Sequence, residues 1–310
     1  MSIHAVKRSQ CHLAWDNSID PVLRVQSGET VTFDCLDASN GQITRESTVG
    51  NISTLVFARL DQVNGPVYVE GAAAGDTLQV DVLSVAPATW GWTACIPGFG
   101  LLADEFTEPA LKIWSLDTEK GEAYFFEEEK RVRVPLRPFA GEMGVAPGKA
   151  GAFSTIPPYA TGGNIDTKHL SAGATLFLPV EVEGALFSIG TRAGTAIETP
   201  MKVSVRLTVR KDRPYTKTPH FSTPKISENE EYYCTTGVDA DMREATRAAV
   251  RHMIEFLGAE HGFGRVDAYM LCSVAGDLRL HEVVDMPNYV VGMMIPRSIL
   301  GPSTKVGCHP

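Results

Sequence analysis

Apolar and polar residues alternate with a period of two through much of the first 210 positions. Leu78-Gln79-Val80-Asp81-Val82 and Val203-Ser204-Val205-Arg206-Leu207-Thr208-Val209 each put one face on a core and the other in water. The pattern predicts strands over 22–25, 30–34, 66–69, 77–85, 131–136, 174–181 and 202–210. These runs are short, rich in Val, Ile, Thr, Leu and Phe, and punctuated by 28 glycines and 19 prolines, as in an all-β region. Gly28-Glu29 and Gly75-Asp76, each leading into such a run, predict hairpin turns.

The period changes once. Asp241 is placed to cap a helix, Glu244 completes a capping box, and Met242, Ala245, Ala249, Met253, Phe256 and Leu257 recur at helical spacing until Gly258. A second β region is expected over 267–271 and 278–284. The fold class is therefore mainly β, a β-rich α+β protein: a β-sandwich or barrel-like core with one long helix and a smaller C-terminal β region. Residues 1–310 read as one domain, with a β-rich core over 1–210, an arm or linker over 211–236, and a helix-plus-β subregion over 237–310. The polar segment 215–231 carries two prolines and is long for a connection inside a compact domain. It is expected to cross a surface or reach a second copy, giving a homodimer or a dimer of dimers that covers exposed sheet edges.

A chain of 310 residues buries a sizeable core without a disulfide or metal staple. No apolar run approaches the roughly 18 residues of a membrane span, so no membrane partner is expected. A net charge of −9 with no long basic cluster excludes a phosphate-tracking surface and, with it, nucleic acid. Cys11, Cys35, Cys95, Cys234, Cys272 and Cys308 form no C-x-x-C pair and read as free thiols, with Cys95 a buried structural one. Together with an N-terminus lacking an apolar targeting stretch, they make the cytoplasm the expected location. Gly98-Phe99-Gly100 and Gly162-Gly163 precede no helix, so no nucleotide cofactor is expected.

Ser154 and Ser188 lack the G-x-S-x-G elbow, no histidine lies in H-E-x-x-H, and His12 has no partner legible in the sequence. What remains is a set of polar and aromatic residues among glycines and prolines: Asp37, Glu70, Trp92, Phe99, Glu142, Asn164, Asp166, Lys168 and Glu198. Glu70 ends a predicted strand just before Gly71, where a carboxylate is held rigidly or simply stabilises a turn. Asn164 and Asp166 flank Ile165, so both side chains face one side of an extended segment, with Lys168 two positions on. Trp92 and Phe99 read either as packing or as the apolar wall of a small pocket.

Several segments carry a resemblance. Trp15-Asp16-Asn17-Ser18, Gly65-Pro66-Val67-Tyr68-Val69-Glu70-Gly71-Ala72, Gly91-Trp92-Thr93 with Pro97-Gly98-Phe99-Gly100, Gly162-Gly163-Asn164-Ile165-Asp166, Gly184-Ala185-Leu186-Phe187-Ser188-Ile189-Gly190 and Ser273-Val274-Ala275-Gly276-Asp277 run in order along the chain. In them the chain resembles the acetamidase/formamidase family. The resemblance implies a soluble hydrolase of small linear amides on a β-rich fold, with a divalent metal, zinc or calcium, in some members. With the reading of the residues themselves it points to Glu70, Asp166, Asn164 and Lys168 as catalytic residues, and Glu142, where the family often carries a small or apolar residue, is a further catalytic candidate as a general base. Trp92, Phe99, Gly98, Gly163 and Arg192 would bind substrate, and Asp37 and Glu198 would hold metal.

The chain also departs from the family. The strand Leu-Phe-Ser-x-Gly usually continues into an Asp-x-His-Ala-x-Gln-Gly-Asp-Gly-Glu loop, whereas here Gly190 passes through Thr191-Arg192-Ala193 to Gly194-Thr195-Ala196-Ile197-Glu198. The missing loop is the densest cluster of His and carboxylate in the family pattern, the kind a divalent cation requires. Two readings stand: an amide hydrolase, or a relative that keeps the fold and binds a small molecule without cleaving it. The short connection predicts Ile189 and Ile197 in two strands joined by a tight turn, with Arg192 placing a cation where relatives hold metal.

Overall fold

The computed structural model describes residues 3–125, 132–191, 196–224 and 230–301. Each of the seven runs predicted from alternation contains a strand, among them Glu29–Cys35, Val63–Val69, Thr77–Pro87 and Met201–Arg210. Gly28, at φ 92°, and Gly75, at φ 94°, take left-handed turns, but neither makes the expected hairpin: Leu23–Val25 and Val63–Val69 pair with each other, while Glu29–Cys35 and Thr77–Pro87 belong to a different sheet, so each turn carries the chain from one sheet to the other.

Two sheets dominate. The larger has nine strands in the order Ile3–Val6, Glu29–Cys35, Met201–Arg210, Thr77–Pro87, Thr175–Pro179, His220–Ser222, Tyr232–Asp239, Tyr289–Pro296 and Asp277–Glu282. The second has seven, running Pro158–Tyr159, Gly162–Asn164, Glu142–Gly144, Phe187–Gly190, Val63–Val69 and Cys11–His12, with Leu23–Val25 also paired to Val63–Val69. Their inward faces form the main core: Val31, Phe33, Val80, Leu176 and Val205 from the first, Val67, Met143, Phe187 and Ile189 from the second. A four-stranded sheet that includes Trp90–Cys95 and Ala110–Asp117 stands to one side.

The long helix, α1 (Met242–His261), starts where expected, with Asp241 Oδ1 accepting from the N–H groups of Arg243 and Glu244. It runs past Gly258 and ends at His261, because Gly262, at φ 73°, is the residue that takes the left-handed turn. The helix packs on Tyr232–Asp239 and Tyr289–Pro296 through Ala249, Met253, Phe256 and Leu257. Gly237 makes that approach possible, since a Cβ there would lie 1.9 Å from the Ala245 carbonyl oxygen.

Three further expectations are corrected. Residues 267–271 are not a strand but part of a second helix, α2 (Arg265–Ala275), because Ala268 and Cys272, four apart, are the positions buried against α1. The described part of 211–236 is not an arm. It contributes His220–Ser222 to the middle of the nine-stranded sheet, hydrogen-bonded on both sides, with His220 and Phe221 buried. Finally, Ile189 and Ile197 do not share a hairpin. Both edges of Phe187–Gly190 are already taken, by Glu142–Gly144 and by Val63–Val69, so the returning chain bridges elsewhere, Glu198 to Trp92. No helix among the described residues is long and apolar enough to cross a membrane.

Candidate active site

A cavity of about 310 Å³ lies between the strand Trp90–Cys95, residues 96–106 and the turns after residue 54. Its wall is apolar, with Leu55, Phe57, Ile96, Phe99, Leu102 and Phe106, and two carboxylates face into it, Asp61 and Glu198. Both acids are nearly inaccessible in the protein, at 4% and 5% exposure. Asp61 sits at φ 60°, a conformation uncommon for a residue with a side chain, and is held there by its N–H donating to the Ala38 carbonyl. Such backbone strain persists only when the surroundings impose it, and it gathers at functional sites.

Trp92 organises this corner. Its backbone exchanges two hydrogen bonds of 2.8 Å with Glu198, which fixes the acid at the cavity. Its indole N–H donates to Asp37 Oδ1 at 2.9 Å. Asp37 Oδ1 also accepts from the Ser39 hydroxyl at 2.5 Å and the Ser39 N–H at 2.9 Å. Asp37 therefore stands behind Trp92, a carboxylate that orients the indole, and does not line the cavity.

A second group lies on the seven-stranded sheet. Glu142 is opposite Asn164 on one side and Gly190 on the other, all three buried. Asn164 Nδ2 donates to Asp285 Oδ2 at 2.7 Å and to the Ile156 carbonyl at 2.9 Å, and Ile156 lines the cavity. Gly190 is closely confined: a Cβ would lie 3.0 Å from Glu142 Oε2 and from the Gln62 carbonyl. The Thr191 hydroxyl donates to the Leu36 carbonyl at 2.7 Å, and Gln62 Nε2 donates to the Asp37 carbonyl at 3.0 Å. These bonds tie the Glu142 row to the Asp37 corner.

Asp166, at φ 42°, and Lys168 line a separate cavity of about 350 Å³ with His169, Arg279 and His281. It shares Ala196 with the first. His281 is half-buried, and burial, with His169 and Arg279, pushes its pKa down to about 3, so the ring is neutral.

Of the residues expected at a site, Trp92, Phe99 and Glu198 meet at the acidic cavity. Asp37 lies directly behind it, and Glu142 and Asn164 lie beside it. Asp166 and Lys168 face the neighbouring cavity. Glu70 does not join them. It ion-pairs with Arg24 at 3.2 Å, six residues along its strand from Asn64, which pairs with Ile189, a separation of about 20 Å. Gly163 gives room to Trp15, whose Nε1 would lie 3.2 Å from a Cβ there. Gly98, at φ 77°, makes the exposed turn before Phe99. Arg192 lies outside the described residues. Cys95 is exposed and lines the cavity, contrary to the expectation of a buried thiol, because it ends its strand facing outward.

Asp61 escapes sequence reasoning, since neither its neighbours nor its spacing mark it. So does a contact between Ser188 and His12. His12 Nδ1–H donates to the Ala14 carbonyl at 2.8 Å, which leaves Nε2 to accept the Ser188 hydroxyl at 2.9 Å. Neither residue lines the cavity, and burial lowers the His12 pKa. Among the described residues no three His, Cys, Asp or Glu side chains converge as a metal would need. Asp37 Oδ1 is already engaged by Trp92 and Ser39.

Two packed sheets, a flanking helix pair and an apolar cavity lined by two buried acids define a mainly β protein with a pocket of small-molecule size. The chain belongs to the acetamidase/formamidase family, whose model matches residues 2–152 and 148–301. It is 24% identical to a putative formamidase of Schizosaccharomyces pombe, over 95% of this chain and 91% of that protein. It is 27% identical to an acetamidase of Mycolicibacterium smegmatis, over 58% of each. Among solved structures, an acetamidase from Bacillus halodurans superposes with a TM-score of 0.84 at 27% identity, covering 95% of this chain and 97% of that one. One from Yersinia enterocolitica gives 0.82 at 27%, covering 97% and 93%.

Proposed function

We propose that the protein hydrolyses the C–N bond of a small linear amide, converting RCONH₂ and water to a carboxylate and ammonium. The observation that carries this reading is the family match, which runs through the whole chain and includes the strands that bring Glu198 to the cavity beside Trp92. Asp61 and Glu198 supply the proton transfers. One carboxylate takes a proton from water as its oxygen adds to the amide carbon, and the proton then passes to the nitrogen as the C–N bond breaks. Both acids are themselves nearly inaccessible, so solvent screens them little, which strengthens both transfers.

Ammonia release from formamide and acetamide tests this. Asp61→Asn and Glu198→Gln should each lower kcat/KM by about 100-fold or more. Wild-type protein releasing no more ammonia than Glu198→Gln would leave the second reading, a relative that binds without cleaving.

Self-association belongs to the same proposal. Among the described residues the outer strand Asp277–Glu282 has one open edge, and Leu278 and Leu280 on it are exposed, as are Val266 and Val274 of α2. A second copy covering that edge gives a homodimer. Light scattering at a concentration-independent 33.6 kDa would rule it out. The five free cysteines among the described residues suit the reducing cytoplasm.

A further inference from the structure

The cavity is too large and too apolar for the simplest amides. At roughly 30 Å³ per non-hydrogen atom, the share a water takes in the liquid, acetamide fills about 120 Å³. More than half of the 310 Å³ is left over. The surplus is walled by large apolar side chains, several of them held partly in water: Phe57 is 47% exposed, Leu102 48% and Phe106 59%. Keeping such surface hydrated is unfavourable in the free protein, and an apolar ligand that covers it recovers that cost. The wall is also built on its own foundation. Trp92 packs with Ile43 and Ile52 in a hydrophobic cluster separate from the main core, and Leu55 and Ile96 pack against that cluster. With Thr93 and Cys95, the two acids are the polar exceptions in this setting, the arrangement by which a mostly apolar pocket fixes the orientation of one polar group.

We propose that the substrate is a primary amide carrying a bulky apolar acyl group, aryl or branched alkyl, seated against Phe57, Phe99 and Phe106 with its amide at Asp61 and Glu198. This rests on the amide-hydrolase reading and names the substrate class of that site. The bulky group contributes binding that formamide and acetamide cannot make. A rigid aromatic ring fits best, because it covers the most apolar surface with the fewest rotors to immobilise.

The test compares ammonia release from acetamide, isovaleramide, benzamide and phenylacetamide on the full chain, with Phe57→Ala and Phe106→Ala alongside. kcat/KM for phenylacetamide or benzamide should exceed that for acetamide at least tenfold. Each Phe→Ala change should reduce the aryl-to-acetamide ratio at least fivefold, mainly through KM, and the ratio corrects for any loss of folded protein. Cleavage of acetamide at a kcat/KM equal to or above that of every bulky amide would overturn the inference while leaving the hydrolase reading intact. Release from none of the four would overturn the hydrolase reading. The ligand class would then be judged by calorimetric binding of phenylacetamide, with saturable binding weakened by both Phe→Ala changes upholding it and no binding refuting it.

Discussion

Changing Asn164 to Asp alters the charge at one buried contact while keeping the side-chain shape. Asn164 Nδ2 donates to Asp285 Oδ2 at 2.7 Å, and both residues are fully buried. In the variant two carboxyl groups meet there. At an effective dielectric of about 20, two unit charges 2.7 Å apart repel by about 6 kcal/mol. The pair relieves this by keeping one proton, which at pH 7, against an ordinary Asp value of about 3.9, costs about 4 kcal/mol. The folded variant then holds a proton that the unfolded chain releases above about pH 4. The destabilisation is therefore large at neutral pH and shrinks as the pH falls toward 4. With an unfolding entropy of about 2.1 cal/mol/K per residue over 310 residues, 4 kcal/mol lowers Tm by about 6 °C, and the deficit at pH 4.5 falls to about 1 °C. Scanning calorimetry of wild type and variant between pH 4.5 and 8 measures this. The double change Asn164→Asp with Asp285→Asn restores a donor opposite an acceptor and should recover most of the loss. An equal Tm deficit at both ends of the pH range, or no recovery in the double variant, would show that this contact does not carry the stated charge.

Ser188→Ala removes the hydroxyl that His12 accepts, costing about 1–3 kcal/mol of stability. With no cavity contact, it should leave ammonia release within threefold of wild type, and a loss of 100-fold would identify Ser188 as a nucleophile. Glu70→Ala removes a partly exposed ion pair with Arg24 and should change neither the rate nor Tm measurably, whereas a tenfold loss of ammonia release would restore Glu70 to the site. His281, neutral in the fold because burial pushes its pKa to about 3, binds a proton in the unfolded chain below about pH 6.5. Its contribution is complete above that pH and fades as the pH falls, so the free energy from urea unfolding should be lower by about 2 kcal/mol at pH 5 than at pH 7, with His281→Gln flattening the slope. Because Asp37 is engaged by Ser39 and Trp92, dialysis against a chelator should leave the rate within twofold. Stoichiometric zinc or calcium by elemental analysis, lost together with activity, would show instead that Asp37 and Glu198 ligate.

Glu29–Cys35, Met201–Arg210 and α1 are legible in the sequence because each buries one face, and a single-faced element must carry the period of its own geometry, whereas Tyr232–Asp239 and Tyr289–Pro296, buried on both faces, show no alternation. The second helix is not legible. Only Ala268 and Cys272 of α2 are buried, while Val266, Tyr269, Met270 and Val274 stay exposed, so apolar residues fall on several faces and no helical stripe forms. His220–Ser222 is three residues long, too short for any period, and its place is set by Thr175–Pro179 and Tyr232–Asp239 on either side. Trp92, Phe99 and Glu198, singled out in the sequence by their glycine-rich surroundings and the family resemblance, do line one cavity. Asp61 is not singled out, because its place at the cavity goes with a left-handed backbone and a tertiary contact with Ala38, neither of which its neighbours in sequence announce. Glu70 shares the motif of the family yet lies about 20 Å away along its strand, a distance a linear motif does not record.

The order of strands in the larger sheet also has consequences for how the chain comes off the ribosome. Glu29–Cys35 finds its antiparallel neighbour only in Met201–Arg210, which also pairs with Thr77–Pro87. About 175 residues separate the end of the first strand from the end of that neighbour, so at roughly 5–20 residues per second the early strand waits about 9–35 s for its partner. During that interval Val31, Phe33 and Cys35, all destined for the interior, have no permanent cover. A nascent chain of this topology depends on chaperone holding until its two hundredth residue or so has emerged, and slowing synthesis should raise the fraction lost to aggregation.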